Sequence, residues 1–293
     1  MASTSRVPIM KTKLDSGAAL ASDVTRPLVV GNWKMNVADG GSGAFARQVA
    51  KLGPYRCRVA ICVPHPFLSE VDRALRGTEI AIGAQDCSDQ HAGAFTGEVS
   101  ARMLATFSCA YVIVGHSERR ARHLENDLAV ATKAKMALDC DITPIICVGE
   151  TLAERNSGEA LTVVSRQVSA VTRRLGLDVA RCVFAYEPVW AIGSGRSASA
   201  EQAQAMHSFI RDQLAQQGSA AAAVSILYGG SVKPESTGKL LEQPDVDGVL
   251  VGGASLNLAH FSEICRVAGV SSGIGAAWPS DDAQSGASLS AEV

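Results

Sequence analysis

Apolar and polar positions alternate along this chain in blocks rather than singly. Short runs rich in Val, Ile and Ala recur at Pro27–Trp33, Arg58–Val63, Glu79–Ala84, Ala110–Gly115, Ile142–Val148, Cys182–Tyr186, Val224–Tyr228 and Val246–Val251. Near-continuous apolar runs of this length suit parallel strands buried on both faces. Amphipathic stretches such as Phe67–Arg76 and Ala200–Gln217 lie between them. The second opens with Ser199 and Glu201, residue types that suit a helix N-terminus. Eight β/α units in about 245 residues predict an α/β fold, a single closed (β/α)8 barrel. A doubly wound sheet would alternate in the same way, but no G-x-G-x-x-G follows the first run.

Composition supports a large buried core. Of 293 residues, 47% are hydrophobic and 19% charged, which excludes a disordered chain. The net charge of −2 creates no strong field for nucleic acid or an anionic membrane, so binding to either is not expected. Any preference for an anionic ligand must then come from local geometry. No apolar run reaches the roughly 18 residues of a membrane span. The eight cysteines, Cys57, Cys62, Cys87, Cys109, Cys140, Cys147, Cys182 and Cys265, are scattered singly along the chain. Without a C-x-x-C pair, neither a zinc site nor a redox dithiol is indicated, and buried free thiols in a reducing cytoplasm are expected.

The two ends differ from the middle. Residues 1–25 are polar and small, without an apolar signal core, and Asp15 and Asp23 argue against a transit peptide. A disordered extension is expected there, or a start site placed too early, with Met10 as a candidate. Ser271–Val293 is dominated by Ser, Gly, Ala and Asp and is expected to be a disordered tail. The barrel domain is therefore assigned to residues 26–270.

In such a barrel, function collects at the carboxyl ends of the strands. Those ends hold Asn32 and Lys34, then Gln85, His116, Glu150, Glu187, Ser231, and Gly252 with Gly253. Polar residues that so abruptly follow apolar runs are hard to explain as packing. In Ala185–Gly195 the sixth run delivers Glu187 and stops at Pro188, which lacks a donor. An apolar, glycine-containing loop follows, which makes sense if it closes over a site and shields it from water. A strand ending in a solvated acid and a flexible turn is the other reading of that segment alone.

Four more segments carry candidate chemistry. Lys34, in Gly31–Asn36, is either a snorkelling surface lysine or a positive charge offered to an anionic substrate. His116, in Gly115–Arg120, stands where a strand passes into a helix, close to free N–H groups that favour a neutral imidazole. A capping or core histidine is the alternative. Glu118 and Arg119 suit ion pairs, and Glu118 could hold Lys34. Tyr228–Val232 and Val251–Ser255 put two glycine turns after strands seven and eight, where barrels often bind phosphate through backbone N–H groups.

With these motifs in this order, the chain resembles the triosephosphate isomerase family over residues 26–270. The resemblance implies a single (β/α)8 TIM barrel that interconverts dihydroxyacetone phosphate and D-glyceraldehyde 3-phosphate through an enediolate, with no cofactor and no metal. It implies that Glu187 is the base, His116 the group that polarises the carbonyl, and Lys34 the positive charge. Asn32 would orient the substrate and Glu118 would support Lys34. Gly193, Ser231, Gly252 and Gly253 would supply donors to the phosphate of the small phosphorylated triose once the lid shuts. Gln85–Glu98, with Thr96 near its tip, is similar to the family's protruding third loop and implies a homodimer. Arg196 departs from the lysine of many relatives, and the two terminal extensions have no counterpart in the family. A phosphosugar aldolase would need a lysine where Glu187 stands, or clustered histidines, and the six histidines are dispersed. A non-catalytic phosphate-binding protein would be marked by loss of Glu187 or His116.

Overall fold

The computed structural model describes residues 26–193 and 197–271. The expected extension at 1–25, Ser194 and Gly195 of the expected lid with Arg196 after it, and the expected tail beyond residue 271 lie outside them.

Each apolar run contains a strand: β1 Leu28–Asn32, β2 Arg58–Val63, β3 Ala81–Ala84, β4 Tyr111–Val114, β5 Thr143–Val148, β6 Val183–Tyr186, β7 Ile226–Tyr228 and β8 Gly248–Val251. Neighbours pair in parallel in chain order, and β8 closes on β1 with Leu28 opposite Gly248. The helices between them are α1 Ser42–Lys51, α2 Leu68–Leu75, α3 Ala101–Ala105, α4 Ser117–His123, α5 Asp127–Leu138, α6 Leu152–Asn156, α7 Ala160–Leu175, α8 Ala200–Ala215, α9 Ser219–Ala222, α10 Pro234–Leu241 and α11 Leu258–Ser271. Apart from β2, which fills its run, the strands are shorter than the runs because outermost residues lie beyond the last ladder hydrogen bonds. None of the described helices is long and apolar enough to cross a membrane.

The two-residue period of a strand divides the core into two compartments. Leu28, Val30, Ala60, Cys62, Ile113, Ile145, Cys147, Val183, Ala185, Leu227 and Leu250 form one cluster, the packed interior of the barrel. Residues of opposite parity, among them Val29, Ile61, Val112, Ile146, Phe184 and Val249, join the helices in a second, larger cluster. Both compartments are built from buried side chains, and each large aliphatic or aromatic one contributes about 1.5–3 kcal/mol relative to exposure.

Helix α8 illustrates how local sequence builds the outer layer. The Ser199 side chain accepts from the Gln202 N–H at 3.1 Å, and Gln202 accepts from the Ser199 N–H at 3.0 Å. This reciprocal cap satisfies two donors that the first turn leaves unpaired. The buried face that follows, Ala203, Met206, His207, Ile210 and Leu214, has helical spacing.

Strand parity also decides what faces the carboxyl end of the barrel. Asn32 continues the inward series Leu28–Val30, and Glu187 continues Val183–Ala185. Both side chains therefore emerge at the same mouth, where they stay buried at 5% and 1% exposure.

Candidate active site

Lys34 follows β1 with φ of 51°, a left-handed conformation that costs a non-glycine residue about 1–3 kcal/mol. Neighbouring side chains hold it there. Its N–H donates to Asn32 Oδ1 at 3.0 Å, and Gln85 Nε2 donates to its carbonyl at 2.9 Å. Gln85 also donates to the Cys62 carbonyl at 3.1 Å, which ties the first three strand ends together. The Lys34 ammonium meets Glu118 Oε1 at 2.5 Å. Burial pushes the Glu118 carboxyl up, but the hydrogen bond and charge of Lys34 outweigh it and hold the group below the usual range.

After β4, Gly115 turns the chain with φ of 69°, a conformation natural to glycine, and His116 then caps α4. His116 Nδ1 accepts from the Glu118 N–H at 3.2 Å. A ring that accepts at Nδ1 and is neutral carries its proton on Nε2. Nε2 lies 3.0 Å from Glu187 Oε1, but the ring N–H is not directed along that line. The buried Oε1 thus has no formed hydrogen bond, whereas Oε2 accepts from the Ser117 N–H at 2.7 Å. One half of the carboxylate is anchored and the other is available. Behind it, burial and then the Glu187 charge push the Cys147 thiol up, so that side chain stays neutral.

The segment after Glu187 is anchored at its start. The Val189 N–H donates to the Glu150 carbonyl at 3.1 Å, and Val189–Ala191 forms one turn of 3-10 helix. Glu150 is fully buried, and its Oε1 accepts from Trp190 Nε1 at 2.8 Å, Arg155 Nη1 at 3.0 Å and the Tyr186 hydroxyl at 3.1 Å. Arg155 also stacks 4.7 Å from the centre of the Trp190 ring. Burial, then the Glu150 charge, push the Tyr186 hydroxyl up and keep it a donor.

One cavity of about 760 Å³ is lined by Asn32, Lys34, His116, Glu187, Gly193, Ser231, Gly252 and Gly253. Of the polar strand ends named from the sequence, Gln85 and Glu150 are not on that wall, and Glu118 reaches it through Lys34. The volume suits a small metabolite. At one end stand a carboxylate, an imidazole and an ammonium. The other end presents backbone from the two glycine turns, suited to an oxyanion. Among the described residues no cluster of three His, Cys, Asp or Glu could hold a metal ion.

Three contributors were not legible as site residues. Ser117 acts through its backbone N–H, which no residue type advertises. Glu150 was visible as a polar strand end but gave no hint of its partner Trp190, forty positions away. Gly149 is a steric requirement: a Cβ there would lie 1.8 Å from the Glu187 carbonyl oxygen. Its signal, a glycine directly after an apolar run, is too common to interpret alone.

Comparison with known proteins points in one direction. A family model described as triosephosphate isomerase matches residues 27–268. The triosephosphate isomerase of Cupriavidus necator is 49% identical over 239 residues, covering 81% of this chain and 97% of that protein. That of Thiobacillus denitrificans is 51% identical over 250 residues, covering 83% and 98%. The crystal structure of triosephosphate isomerase from Bartonella henselae is similar with a TM-score of 0.75 and 37% identity, covering 83% of this chain and 98% of that one.

Proposed function

The chain belongs to the triosephosphate isomerase family, and from that membership we propose that Glu187, His116 and Lys34 carry out its reaction. The reaction is the interconversion of dihydroxyacetone phosphate and D-glyceraldehyde 3-phosphate through an enediolate. The observation that carries the assignment is the approach of Glu187 and His116 to 3.0 Å, on a wall they share with Lys34 and the glycine turns.

Glu187 takes a proton from the carbon beside the carbonyl and returns it to the adjacent carbon. For this it turns the oxygen that has no hydrogen bond into the cavity, with Ser117 holding the other until substrate replaces it. His116 donates from Nε2 to the oxygen on which charge develops, since Nδ1 is occupied by the Glu118 N–H. A neutral donor suits this step because the proton can be lent and recovered between the two oxygens. Lys34 opposes the charge of phosphate and enediolate, and Asn32 orients the substrate while fixing the Lys34 backbone. Glu118 keeps Lys34 in place. Gly193, Ser231, Gly252 and Gly253 donate to the phosphate, and closure of the segment after Pro188 excludes water, which protects the enediolate phosphate from elimination.

The protein acts as a homodimer in the cytoplasm. Met35, Val37 and Phe95 support the dimer: they stand 96%, 65% and 44% exposed near the mouth and on the loop after β3, apolar surface that a partner would cover. The eight cysteines are all free thiols, in keeping with a reducing compartment.

The test is a coupled assay on D-glyceraldehyde 3-phosphate with Glu187→Ala. Turnover is expected to fall by several orders of magnitude while binding of a phosphate-bearing inhibitor largely survives, because the carboxylate acts mainly in the transition state. A well-folded Glu187→Ala protein with near-normal turnover overturns the base assignment.

A further inference from the structure

On the outside of the barrel, away from the catalytic mouth, a groove of about 230 Å³ runs between the loop after α1 and helix α11. Leu52, Pro54 and Tyr55 form one side, and Ala259 and Val270 the other. The groove leaves apolar surface in water: Leu52 is 50% and Val270 65% exposed. Its floor is fixed, because the Tyr55 hydroxyl donates to the Val49 carbonyl at 2.8 Å and reaches Ser262 Oγ at 3.4 Å. Near one end the helix touches the loop so closely that a Cβ at Gly269 would lie 2.8 Å from the Arg56 Cβ. The volume is below the roughly 300–1,000 Å³ of metabolite pockets and suits a single large side chain.

We propose that the chain's own C-terminal segment Ile274–Pro279 covers this groove and seats the Trp278 indole in it. Three observations point to this occupant. First, Val270 is both a wall of the groove and the last residue but one of α11, so the following chain starts at its rim. Trp278 lies eight positions beyond Val270, a reach of up to about 26–29 Å when extended, ample for turning back. Second, Ile274 and Trp278 are the first large apolar residues after α11, in a stretch otherwise made of Ser, Gly, Ala, Pro and Asp. Third, charge is complementary. Arg56 and Arg266 flank the groove, and Glu263, the one acid in its lining, is already paired with Arg266 at 2.7 Å, so these three residues leave the rim one net positive charge. Asp281 and Asp282 follow Pro279, and residues 272–293 contain no Lys or Arg. The matched family model stops at residue 268, so this covering would be a property of this chain rather than of the family fold. A second copy fits poorly, since stable interfaces bury about 1,200–2,000 Å² and a one-side-chain groove offers far less.

The three tryptophans, Trp33, Trp190 and Trp278, permit a direct test by fluorine NMR of protein labelled with 5-fluorotryptophan. Trp278→Phe assigns the third resonance. In the unaltered protein that resonance is expected away from the free amino acid position, with a severalfold smaller solvent-isotope shift between H2O and D2O. Ala259→Arg, at an exposed position in the groove, should move it to the solvent-exposed value and leave isomerase activity and the other two resonances unchanged. A Trp278 resonance already at the exposed value, or one that Ala259→Arg does not move, overturns the proposal. So does a resonance whose position follows protein concentration, which would assign the groove to a second copy.

Discussion

Gly149→Ala isolates a steric requirement of the catalytic end of the barrel. Gly149 stands between the end of β5 and Glu187, and a Cβ there would lie 1.8 Å from the Glu187 carbonyl oxygen and 2.7 Å from its carbonyl carbon. An ordinary carbon–oxygen contact is about 3.3 Å, so the two strand ends must separate by roughly 1.5 Å. Little gives way easily, because the contact is backbone against backbone. The Glu187 N–H is bonded to the Val148 carbonyl at 2.8 Å, and Gly149 itself exchanges hydrogen bonds with Gln167 at 2.8 and 3.1 Å. Overpacking of this kind costs about 1–3 kcal/mol of stability. At about 2–4 °C per kcal/mol for a domain of this size, melting should fall by roughly 2–12 °C. The catalytic effect should be larger in proportion, because a shift of about 1 Å in a positioned group costs on the order of 100-fold. A coupled assay is expected to show kcat down about 100-fold with KM little changed, since the glycine turns that face the phosphate lie elsewhere on the wall. Gly238→Ala is the control. It lies within α10, where a Cβ meets only Val267 Cγ1 at an ordinary 3.7 Å. That variant should keep full activity and gain up to about 0.5–1 kcal/mol from helix propensity. A Gly149→Ala protein with kcat near that of the parent would refute the reasoning, whatever its melting temperature.

Two further outcomes follow from buried charge. His207 is fully buried, with Nδ1 3.0 Å from the Asp245 carbonyl, and burial lowers it from 6.5 to about 4. The unfolded chain therefore binds a proton in a range where the folded protein refuses it. This contribution is fully present above pH 6.5 and is lost as pH falls toward 4, by at most about 3 kcal/mol. Urea unfolding at several pH values should show this loss in the parent and a shallower one in His207→Gln; equal slopes would contradict it. Lys133 is 6% exposed and bridges Asp86 at 2.8 Å and Glu125 at 2.6 Å. Lys133→Met leaves Arg119 as their remaining cation, 2.7 and 2.6 Å from the two acids, and should destabilise the fold by about 3–5 kcal/mol. Thermal melting checks this, and a loss below 1 kcal/mol would mean that Arg119 suffices.

The architecture was legible because burial on both faces leaves parallel strands no room for polar residues. All eight strands lie inside the apolar runs, and most of the polar residues that end those runs line one cavity, Gln85 and Glu150 excepted. The helices were less distinct. Helix α5 buries residues nearly all round, and α4 is a short charged turn before it, so neither stands out as an amphipathic stretch.

The amino-acid sequence by itself determined where the strands run and which chemistry-bearing side chains end them. Glu187, His116, Lys34 and the paired glycine turns could be named from position alone, because a strand's period of two and its abrupt end are local properties. Closure of the sheet decided the rest. It brought the Ser117 N–H against Glu187, turned His116 Nδ1 to the Glu118 N–H, and hung Trp190 on Glu150. It also made Gly149 a matter of space rather than of backbone freedom. Those relations join residues far apart in the chain or use backbone groups that every residue possesses. Hydrogen bonding and excluded volume act through distance in space, so only the folded barrel specifies them.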